Sequence, residues 1–384
     1  MNSVLFLINS LTFGGAEKHA ISLLNSIDTQ RFSLHLICLS QEDRLLPQLN
    51  TRRLSGFVQL ERQSRFSFGS IFKIADYIKK HNISIIVCVN EYPTIYAYAA
   101  RLISGCHSRL VEVFHTTDLL NRYEKLKMRL VFRHLFACFN AVVFVSGNQQ
   151  EYWTKSRNLK TRYAVTIRNG IDPASFGPSP DTGQSDAVRE KYGFARQDYV
   201  LGICASLRPE KRHVDILHAL AKVAKDGLPV KLLIIGEGVE RANIEGLARR
   251  LGLEDSVRIT GFQPDVRPYL DVCNCMVMAS TSVETFSIAV LEAMAMAKPV
   301  ISSRIGGAAE QIEDGFTGLL FAPGNIEQLA RQIKALADTD LQAAMGVAAR
   351  RKLEGEFTES QMVRRYEGLF ELLLASQRVA DPRR

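Results

Sequence analysis

Two carboxylates stand at the start of an apolar segment in the second half of the chain. Glu284 and Glu292 lie eight residues apart in the stretch ETFSIAVLEAM. A carboxylate is costly to bury without a partner, and carboxylates accept hydrogen bonds from sugar and ribose hydroxyls. The spacing therefore predicts a ligand-binding pair. The alternative is a Glu284 that only caps a helix, with an incidental Glu292.

A basic segment between a predicted strand and a predicted helix carries Arg208, Lys211 and Arg212 in the sequence SLRPEKR. Arginine binds phosphate oxygens through two parallel hydrogen bonds, and lysine acts as a point charge. This composition predicts a site that neutralises a diphosphate leaving group. A solvated basic turn is the competing interpretation.

The pair Gly14 and Gly15 opens the first predicted helix. Glycines permit a close approach of the backbone to a ligand, and a helix N-terminus favours an anion, so a phosphate cradle is one interpretation and a simple turn is the other. The pattern is neither G-x-G-x-x-G nor a P-loop, which argues against a nicotinamide-dependent enzyme or a nucleoside triphosphatase.

Two further candidates lie in the first half. His115 follows a strand-like run, and both a structural and a functional histidine are open interpretations at that place. Asn169 belongs to an Asn-Gly turn at the end of the last predicted strand of this half, for which a purely structural turn is the simplest interpretation.

Apolar runs of five to eight residues alternate with amphipathic segments of helical length along the whole chain. The runs lie at 4–9, 34–39, 83–90, 110–115 and 141–146, then at 199–205, 231–236, 257–261, 276–280 and 299–302. Strands that are apolar on both faces and alternate with helices indicate parallel sheets covered on both sides. The sequence therefore predicts an α/β protein with two doubly wound domains, whose ligands bind beyond the carboxyl ends of the strands.

The Pro-, Gly- and Ser-rich stretch 172–193 is the predicted linker. It divides the chain into domains at 1–180 and 181–357. Residues 358–384 then form a predicted C-terminal helix, for which a return to the first domain is one open arrangement. Thr358 with Gln361 form a capping-box pattern at its start.

The 384 residues carry a net charge of +8 and are 46% hydrophobic, a composition that excludes disordered and fibrous classes. Residues 1–180 hold 22 Lys and Arg against 12 Asp and Glu, so the first half alone is strongly basic. Such asymmetry predicts an anionic partner for the first half. The seven cysteines include no C-x-x-C pair, and we expect reduced thiols and no metal site.

The chain's motifs resemble those of the retaining glycosyltransferases of family 4. The similarity rests on E-x7-E followed by EAMAMAKPV, on Gly306-Gly307 with Glu310, and on DGFTGLLF. The GGAE loop, His115, the NGID turn, LRPEK and Gly236-Glu237-Gly238 match in the same order. This resemblance implies the GT-B fold, in which two Rossmann-like domains face each other across a cleft.

The resemblance also implies a role for each candidate. The catalytic set would be His115, Arg208, Lys211 and Glu284, and the donor-binding set Gly14, Gly15, Asn169, Gly236, Glu237, Phe262, Ser287, Ile288 and Glu292. Lys211 would bind the diphosphate, Glu292 the ribose, Glu284 the donor sugar, and the backbone near Phe262 the base. The family's G-R-L reads Ala205-Ser206-Leu207 here, so its arginine is missing and Arg208 is the candidate replacement.

The implied reaction moves a sugar from a UDP- or GDP-linked donor to an acceptor hydroxyl and keeps the anomeric configuration. No metal or other cofactor is expected, because the D-x-D at Asp338 is predicted to cap a helix. A nucleotide-sugar 2-epimerase of the same architecture and a non-catalytic nucleotide-sugar-binding module are the alternatives. No nucleic-acid-binding motif is present, so we expect no nucleic acid partner.

Four basic residues, Arg122, Lys125, Arg129 and Arg133, follow a 3-4-4 spacing that places them on one ridge of a helix. Apolar residues surround the ridge, among them Leu126, Leu130, Phe132, Leu135 and Phe136. The ridge predicts either contact with an anionic membrane that carries a lipid-linked or saccharide acceptor, or a core helix with a solvated basic edge. The start of the chain lacks the features of a signal peptide. We therefore expect a cytoplasmic enzyme, with peripheral attachment to the inner face of the cytoplasmic membrane as an open alternative.

Overall fold

The computed structural model describes residues 1–12, 14–61, 67–116, 122–178, 183–282 and 284–380. They form two compact units. The first comprises the chain up to Gly170 together with the chain from Glu359 onwards, and the second runs from Ile171 to Thr358. The predicted boundary at residue 180 lies outside the described residues, and the division between the units falls about ten residues before it.

The first unit is built on a parallel sheet that, among the described residues, has seven strands in the order β3-β2-β1-β4-β5-β6-β7. The strands are β1 Asn2–Ile8, β2 Phe32–Cys38, β3 Leu54–Gln59, β4 Ile83–Val89, β5 Arg109–Phe114, β6 Ala141–Phe144 and β7 Ala164–Thr166. The helices up to Gly170 are α1 Gly15–Ser26, α2 Phe68–Lys80, α3 Glu91–Ser104, α4 Arg122–Lys127, α5 Arg133–Cys138 and α6 Gly147–Glu151. The central strands are buried along most of their length, as their apolar composition predicts.

The second unit has a parallel sheet with six strands among the described residues, in the order β10-β9-β8-β11-β12-β13. The strands are β8 Tyr199–Cys204, β9 Val230–Ile235, β10 Val257–Ile259, β11 Cys275–Met278, β12 Val300–Ser303 and β13 Gly318–Phe321. The helices are α7 Gly183–Tyr192, α8 His213–Lys225, α9 Arg241–Arg250, α10 Arg267–Val272, α11 Ile288–Ala295, α12 Ala308–Gln311, α13 Ile326–Ala335 and α14 Thr339–Glu356. The prediction of two doubly wound α/β domains is thereby confirmed.

The structure differs from the sequence prediction at three strands and at the linker. Strands β3 and β13 were not predicted, and β7 was predicted only as a strand without bounds before the Asn169 turn. β3 is only partly buried and contains Gly56, and β13 is four residues long. The predicted linker 172–193 is wrong over the span of α7, which packs against α10 of the second unit.

The last helix, α15 Glu359–Ala380, packs against the first unit. Ser22 and Ser26 on α1 both donate hydrogen bonds to the carboxylate of Glu359. Arg31 donates to Glu367 and to Glu371 at 2.5 Å each. Asp28 N also donates to Glu367 at 2.9 Å. Polar contacts spread over about three turns of α15 therefore tie it to α1 and to the residues that follow α1.

Candidate active site

Lys211 and Glu284 form an ion pair in the second unit. Lys211 ends a short 3₁₀ turn, Pro209–Lys211, that follows β8, and its Nζ donates to Glu284 Oε2 at 2.6 Å. The exposed fractions of the two side chains are only 18% and 14%. Ser280, at the carboxyl end of β11, donates through Oγ to the same carboxylate oxygen at 3.1 Å. The structure thus brings together two predicted site residues that are 73 positions apart in sequence.

The turn that carries Glu284 is held by Gly306 and Gly307. Gly306 has a φ of +51°, and a Cβ there would collide with the carbonyl group of Glu284. Gly307 N donates to Thr285 O at 2.8 Å. Only a glycine allows this close backbone approach, so the Gly-Gly motif positions the Glu284 carboxylate.

The Gly236-Glu237-Gly238 segment packs against the backbone that precedes Arg208. Leu207 N donates to Glu237 O at 3.0 Å, and a Cβ on Gly238 would strike the backbone of Leu207. Gly236 has a φ of +151° and would similarly strike Ala205 O. Glu237, whose side chain is exposed, therefore holds the loop before the basic segment through its backbone carbonyl group. Phe262 directly follows a backbone bridge between Gly236 and Gly261.

The three cations of the basic segment have different environments. Arg208 is 60% exposed on its side chain, and its Nη1 lies 3.9 Å from Glu210 Oε1. Arg212 donates through Nε and Nη2 to the carboxylate of Asp215 at 3.0 and 2.8 Å, and so stabilises the first turn of α8. The prediction that all three cations serve one anion is therefore too broad, since Arg212 has a structural partner within α8.

Ser287, Ile288 and Glu292 lie at the start and in the middle of α11. Ser287 N donates to Gln311 Oε1 at 3.1 Å, and Gln311 Nε2 donates back to Ser287 O at 2.8 Å. A phosphate contact through the Ser287 amide would therefore have to displace Gln311. Ile288 is the first residue of α11, where a helix leaves its amide without an acceptor within the helix. Glu292 is buried among the apolar residues of the same helix.

His115 directly follows β5 in the first unit, and its loop is held by side chains from the next βα connection. The buried Gln149 donates through Nε2 to Phe114 O at 2.7 Å and to Thr116 O at 3.1 Å. Trp153 donates through Nε1 to Thr116 O at 2.9 Å. Gln149 and Trp153 thus fix the backbone on both sides of His115, a role that the sequence analysis missed.

His19 lies against His115, with ring centroids 5.1 Å apart in an edge-to-face arrangement. Tyr366 from α15 places its hydroxyl 3.0 Å from His19 Nε2. The side chain of Asn169 acts against burial on the pKa of His19. Burial lowers the pKa of His19 to about 4. Burial, and then the proximity of His19, lowers the pKa of His115 well below its ordinary value. Both imidazoles are therefore neutral at pH 7, and Asn169 belongs to this histidine cluster of the first unit.

Gly14 and Gly15 stand at the start of α1, as predicted, but a carboxylate lies beside them. Glu17, in the first turn of α1, places its carboxylate so close to Gly14 that a Cβ there would collide with it. An acid in the first turn stabilises a helix through the dipole. A phosphate at this loop would have to displace that carboxylate, which the sequence analysis did not foresee.

The predicted basic ridge is broken by a π-helical turn at Met128–Phe132, which separates α4 from α5. Because such a turn changes the helical phase, Arg133 leaves the ridge and donates through Nη2 to Asn158 O at 2.9 Å. Phe132 and Phe136 are buried in the core of the first unit. The exposed residues of the segment combine bases and apolar side chains, namely Arg122, Tyr123, Lys125, Leu126, Arg129, Leu130 and Val131.

Asp338 accepts hydrogen bonds from the backbone amides of Asp340 and Leu341 at the start of α14, so its predicted role as an N-cap is confirmed. Within the described ranges, no group of three or more His, Cys, Asp or Glu side chains is arranged to hold a metal ion. Among the helices that the structure describes, none combines the length and the apolar character needed to cross a bilayer.

Comparison with known proteins identifies the family. Residues 184–352 match the family model described as "Glycosyl transferases group 1", and residues 13–175 match "Glycosyltransferase Family 4". The chain is a family 4 glycosyltransferase of the group 1 type. It is 28% identical to the N-acetyl-alpha-D-glucosaminyl L-malate synthase of Bacillus anthracis, a match that covers 78% of this chain and 77% of that protein.

Two further similarities extend over most of this glycosyltransferase. It is 25% identical to the Campylobacter jejuni N-acetylgalactosamine-N,N'-diacetylbacillosaminyl-diphospho-undecaprenol 4-alpha-N-acetylgalactosaminyltransferase, over 87% of this chain and 89% of that one. The crystal structure of Anabaena Alr3699/HepE in complex with UDP and glucose has a TM-score of 0.82 at 23% identity, and covers 96% of this chain and 99% of that chain. The predicted GT-B fold is confirmed.

Proposed function

We propose that this glycosyltransferase is a retaining enzyme that uses a UDP- or GDP-linked sugar and requires no metal ion. The observation that carries the proposal is the partly buried Lys211–Glu284 pair. It holds an ammonium group at the strand-to-helix turn where an α/β sheet binds phosphates. The same pair places a carboxylate, an acceptor for sugar hydroxyls, within hydrogen-bonding distance of that ammonium group.

In the proposed reaction, the bond between C1 of the donor sugar and the diphosphate oxygen breaks, and the acceptor oxygen bonds to C1 on the same face. Lys211, with Arg208 and the amide of Ile288, stabilises the negative charge that develops on the diphosphate. Preorganised positive groups of this kind supply a large part of the rate enhancement of many enzymes. The departing phosphate oxygen takes the proton of the acceptor hydroxyl, so no protein nucleophile is needed.

For the acceptor, we propose a lipid-linked or saccharide substrate of cell-surface polysaccharide, lipopolysaccharide or glycolipid synthesis. The Campylobacter jejuni relative is named for a diphospho-undecaprenol acceptor. The exposed face of Arg122–Val131 supports the same proposal, because basic and apolar side chains alternate on it and such helices lie in anionic membrane surfaces. We therefore propose a peripheral location on the cytoplasmic face of the membrane.

The experiment begins with a panel of UDP- and GDP-sugars, each tested for a rise in melting temperature. The stabilising donor is then incubated with the protein in EDTA, and proton NMR follows the anomeric configuration of the newly released sugar before it equilibrates. We expect release of the α sugar from an α-linked donor. Release of the β anomer, a change of configuration at C2, or binding without turnover would contradict the proposal, and loss of turnover in EDTA would contradict its metal independence.

A further inference from the structure

The last helix, α15, places a tyrosine hydroxyl against a buried histidine of α1. Tyr366 is fully buried, and its hydroxyl lies 3.0 Å from His19 Nε2. The two rings also pack edge to face, with their centroids 5.5 Å apart. Because His19 is buried as well, its side chain has little room to turn away from this hydroxyl. A residue of the last helix therefore restrains a side chain of the first.

The packing of both helices holds the tyrosine hydroxyl in place. His19 and Ser22 lie one turn apart on α1 and share a face of it. Glu359 and Tyr366 lie two turns apart on α15 and likewise share a face. Ser22 Oγ donates to Glu359 Oε2 at 2.7 Å, which fixes the register of the two helices. The ring of Phe370, 6.1 Å from that of Tyr366 between centroids, packs against the tyrosine from the next turn of α15.

The ring of His19 also contacts the candidate catalytic histidine. Its centroid lies 5.1 Å from that of His115, and the two ring planes are inclined at 74°. Gln149 and Trp153 fix the backbone on either side of His115, where they donate to carbonyl groups. The His19 ring packs against the imidazole itself, so it restricts rotation about the side-chain bonds of His115.

A hydrogen bond at one ring nitrogen selects one orientation of a histidine. The last side-chain torsion of histidine is broad and roughly two-fold, so a buried ring without such a bond can also adopt the flipped orientation. The hydrogen bond also determines which ring nitrogen carries the proton. Without the Tyr366 hydroxyl, both orientations of His19 become available, and they present different atoms to His115.

From these contacts, and on the basis of the proposed glycosyl transfer, we propose that Tyr366 is a positioning residue for the reaction. Its hydroxyl fixes the ring of His19, and His19 fixes the imidazole of His115. Since Tyr366 acts only through His19, we expect it to affect the transition state more than the binding of the intact donor. The helix α15 then contributes to the reaction as well as to the packing of the first unit.

The first test is the kinetics of Tyr366→Phe, which removes one oxygen and keeps the ring packing. We expect kcat to fall about tenfold with the donor KM nearly unchanged, because a small misplacement of a catalytic group is costly. In His19→Leu there is no imidazole for the hydroxyl to orient. Adding Tyr366→Phe to His19→Leu should therefore lower kcat no further.

Tyr77→Phe is the matched control, because it removes the same kind of bond from the same unit. The hydroxyl of Tyr77, on α2, lies 2.9 Å from His35 Nδ1 on β2. Its ring packs against that of His35 and not against His19 or His115 among the ring contacts of the described residues. This variant should leave kcat unchanged.

The second test reads the rings directly and needs no turnover. Long-range proton–nitrogen NMR spectra are recorded on the full-length protein labelled with ¹⁵N at its eight histidines. Tyr366→Phe should shift the ring resonances of both His19 and His115 and leave those of His35 in place, which also shows that the variant is folded. Tyr77→Phe should shift the His35 resonances and leave those of His19 and His115 in place.

Three results would overturn the proposal: an unchanged kcat in Tyr366→Phe, an undiminished loss of kcat when Tyr366→Phe is added to His19→Leu, or unshifted His115 resonances in Tyr366→Phe. Failure of the glycosyl-transfer proposal is seen separately, as absence of nucleotide-sugar turnover by the wild type. In that case the His115 resonances alone decide whether Tyr366 positions this ring.

Discussion

At the scale of single residues, the central feature is that Lys211 has a carboxylate partner. Glu284 Oε2 accepts hydrogen bonds from both Lys211 and Ser280, so the ammonium group is held in one place in the absence of a donor. A preorganised charge requires little rearrangement when the transition state forms. The pair therefore favours stabilisation of developing charge over simple binding of the intact donor.

We predict that Lys211→Ala lowers kcat by about 100-fold, whereas the donor KM changes less than tenfold, because only interactions made in the transition state accelerate chemistry. Steady-state kinetics with the donor that stabilises the protein provide the measurement. The matched control is Lys222→Ala, which removes an exposed lysine of α8 that pairs with Glu327. A raised KM with an unchanged kcat would reduce Lys211 to a binding contact.

The residue types at the site could be predicted from the sequence, but several of their partners could not. Glu284 stood out as an acid just before an apolar segment, and Lys211 as one of three cations between a predicted strand and a predicted helix. By contrast, the contact between His19 and Tyr366 joins positions 347 residues apart. The bonds from Gln149 to the His115 loop likewise depend on the pairing of β5 with β6, which no local pattern reveals.

At the scale of elements, the segment Arg122–Val131 is the clearest case of a surface shaped by a local irregularity. The π-helical turn buries Met128 and Phe132 but leaves Leu130 and Val131 exposed. Leu130 is 61% exposed, an unusual position for a large apolar side chain beside basic residues. The 3-4-4 spacing alone predicted an uninterrupted helix, and it therefore assigned Arg133 to the wrong face.

We predict that this element binds anionic vesicles and that the binding weakens with salt. Each basic residue near such a surface contributes about 1 kcal/mol, so Lys125→Glu with Arg129→Glu should reduce co-sedimentation with phosphatidylglycerol vesicles at least tenfold. Leu126→Gln with Leu130→Gln should also reduce it, through lost apolar burial. Lys79→Glu with Lys80→Glu, at the exposed end of α2, is the charge-matched control. Equal sedimentation with neutral and anionic vesicles would contradict the prediction.

At the scale of the whole molecule, buried histidines link the stability of each unit to pH. Burial lowers the pKa of His19 and of His35 in the first unit to about 4. In the second unit, burial and then the charge of Lys211 lower the pKa of His213 to about 4. Neither ring nitrogen of His213 has a hydrogen-bond partner in the described part of the chain, so protonation within the fold gains no compensating bond.

We predict that both units lose stability as the pH falls from 6.5 towards 4. In this range the unfolded state binds protons that the folded histidines do not, so the free energy of unfolding decreases, by about 2 kcal/mol per histidine at pH 5. His213→Gln should remove this loss from the second unit, and His19→Gln should reduce it in the first. The measurement is urea unfolding at pH 7.5 and pH 5.

The chain's one tryptophan, Trp153, lies in the first unit, so its fluorescence reports that unit alone, whereas far-UV circular dichroism reports both. His213→Gln should therefore flatten the pH dependence of the dichroism signal and leave the fluorescence transition unchanged. Because the two pH values are compared within each variant, any packing defect of the substitution cancels. If the pH dependence of His213→Gln equals that of the wild type in both signals, protonation of His213 does not lower the stability of the second unit.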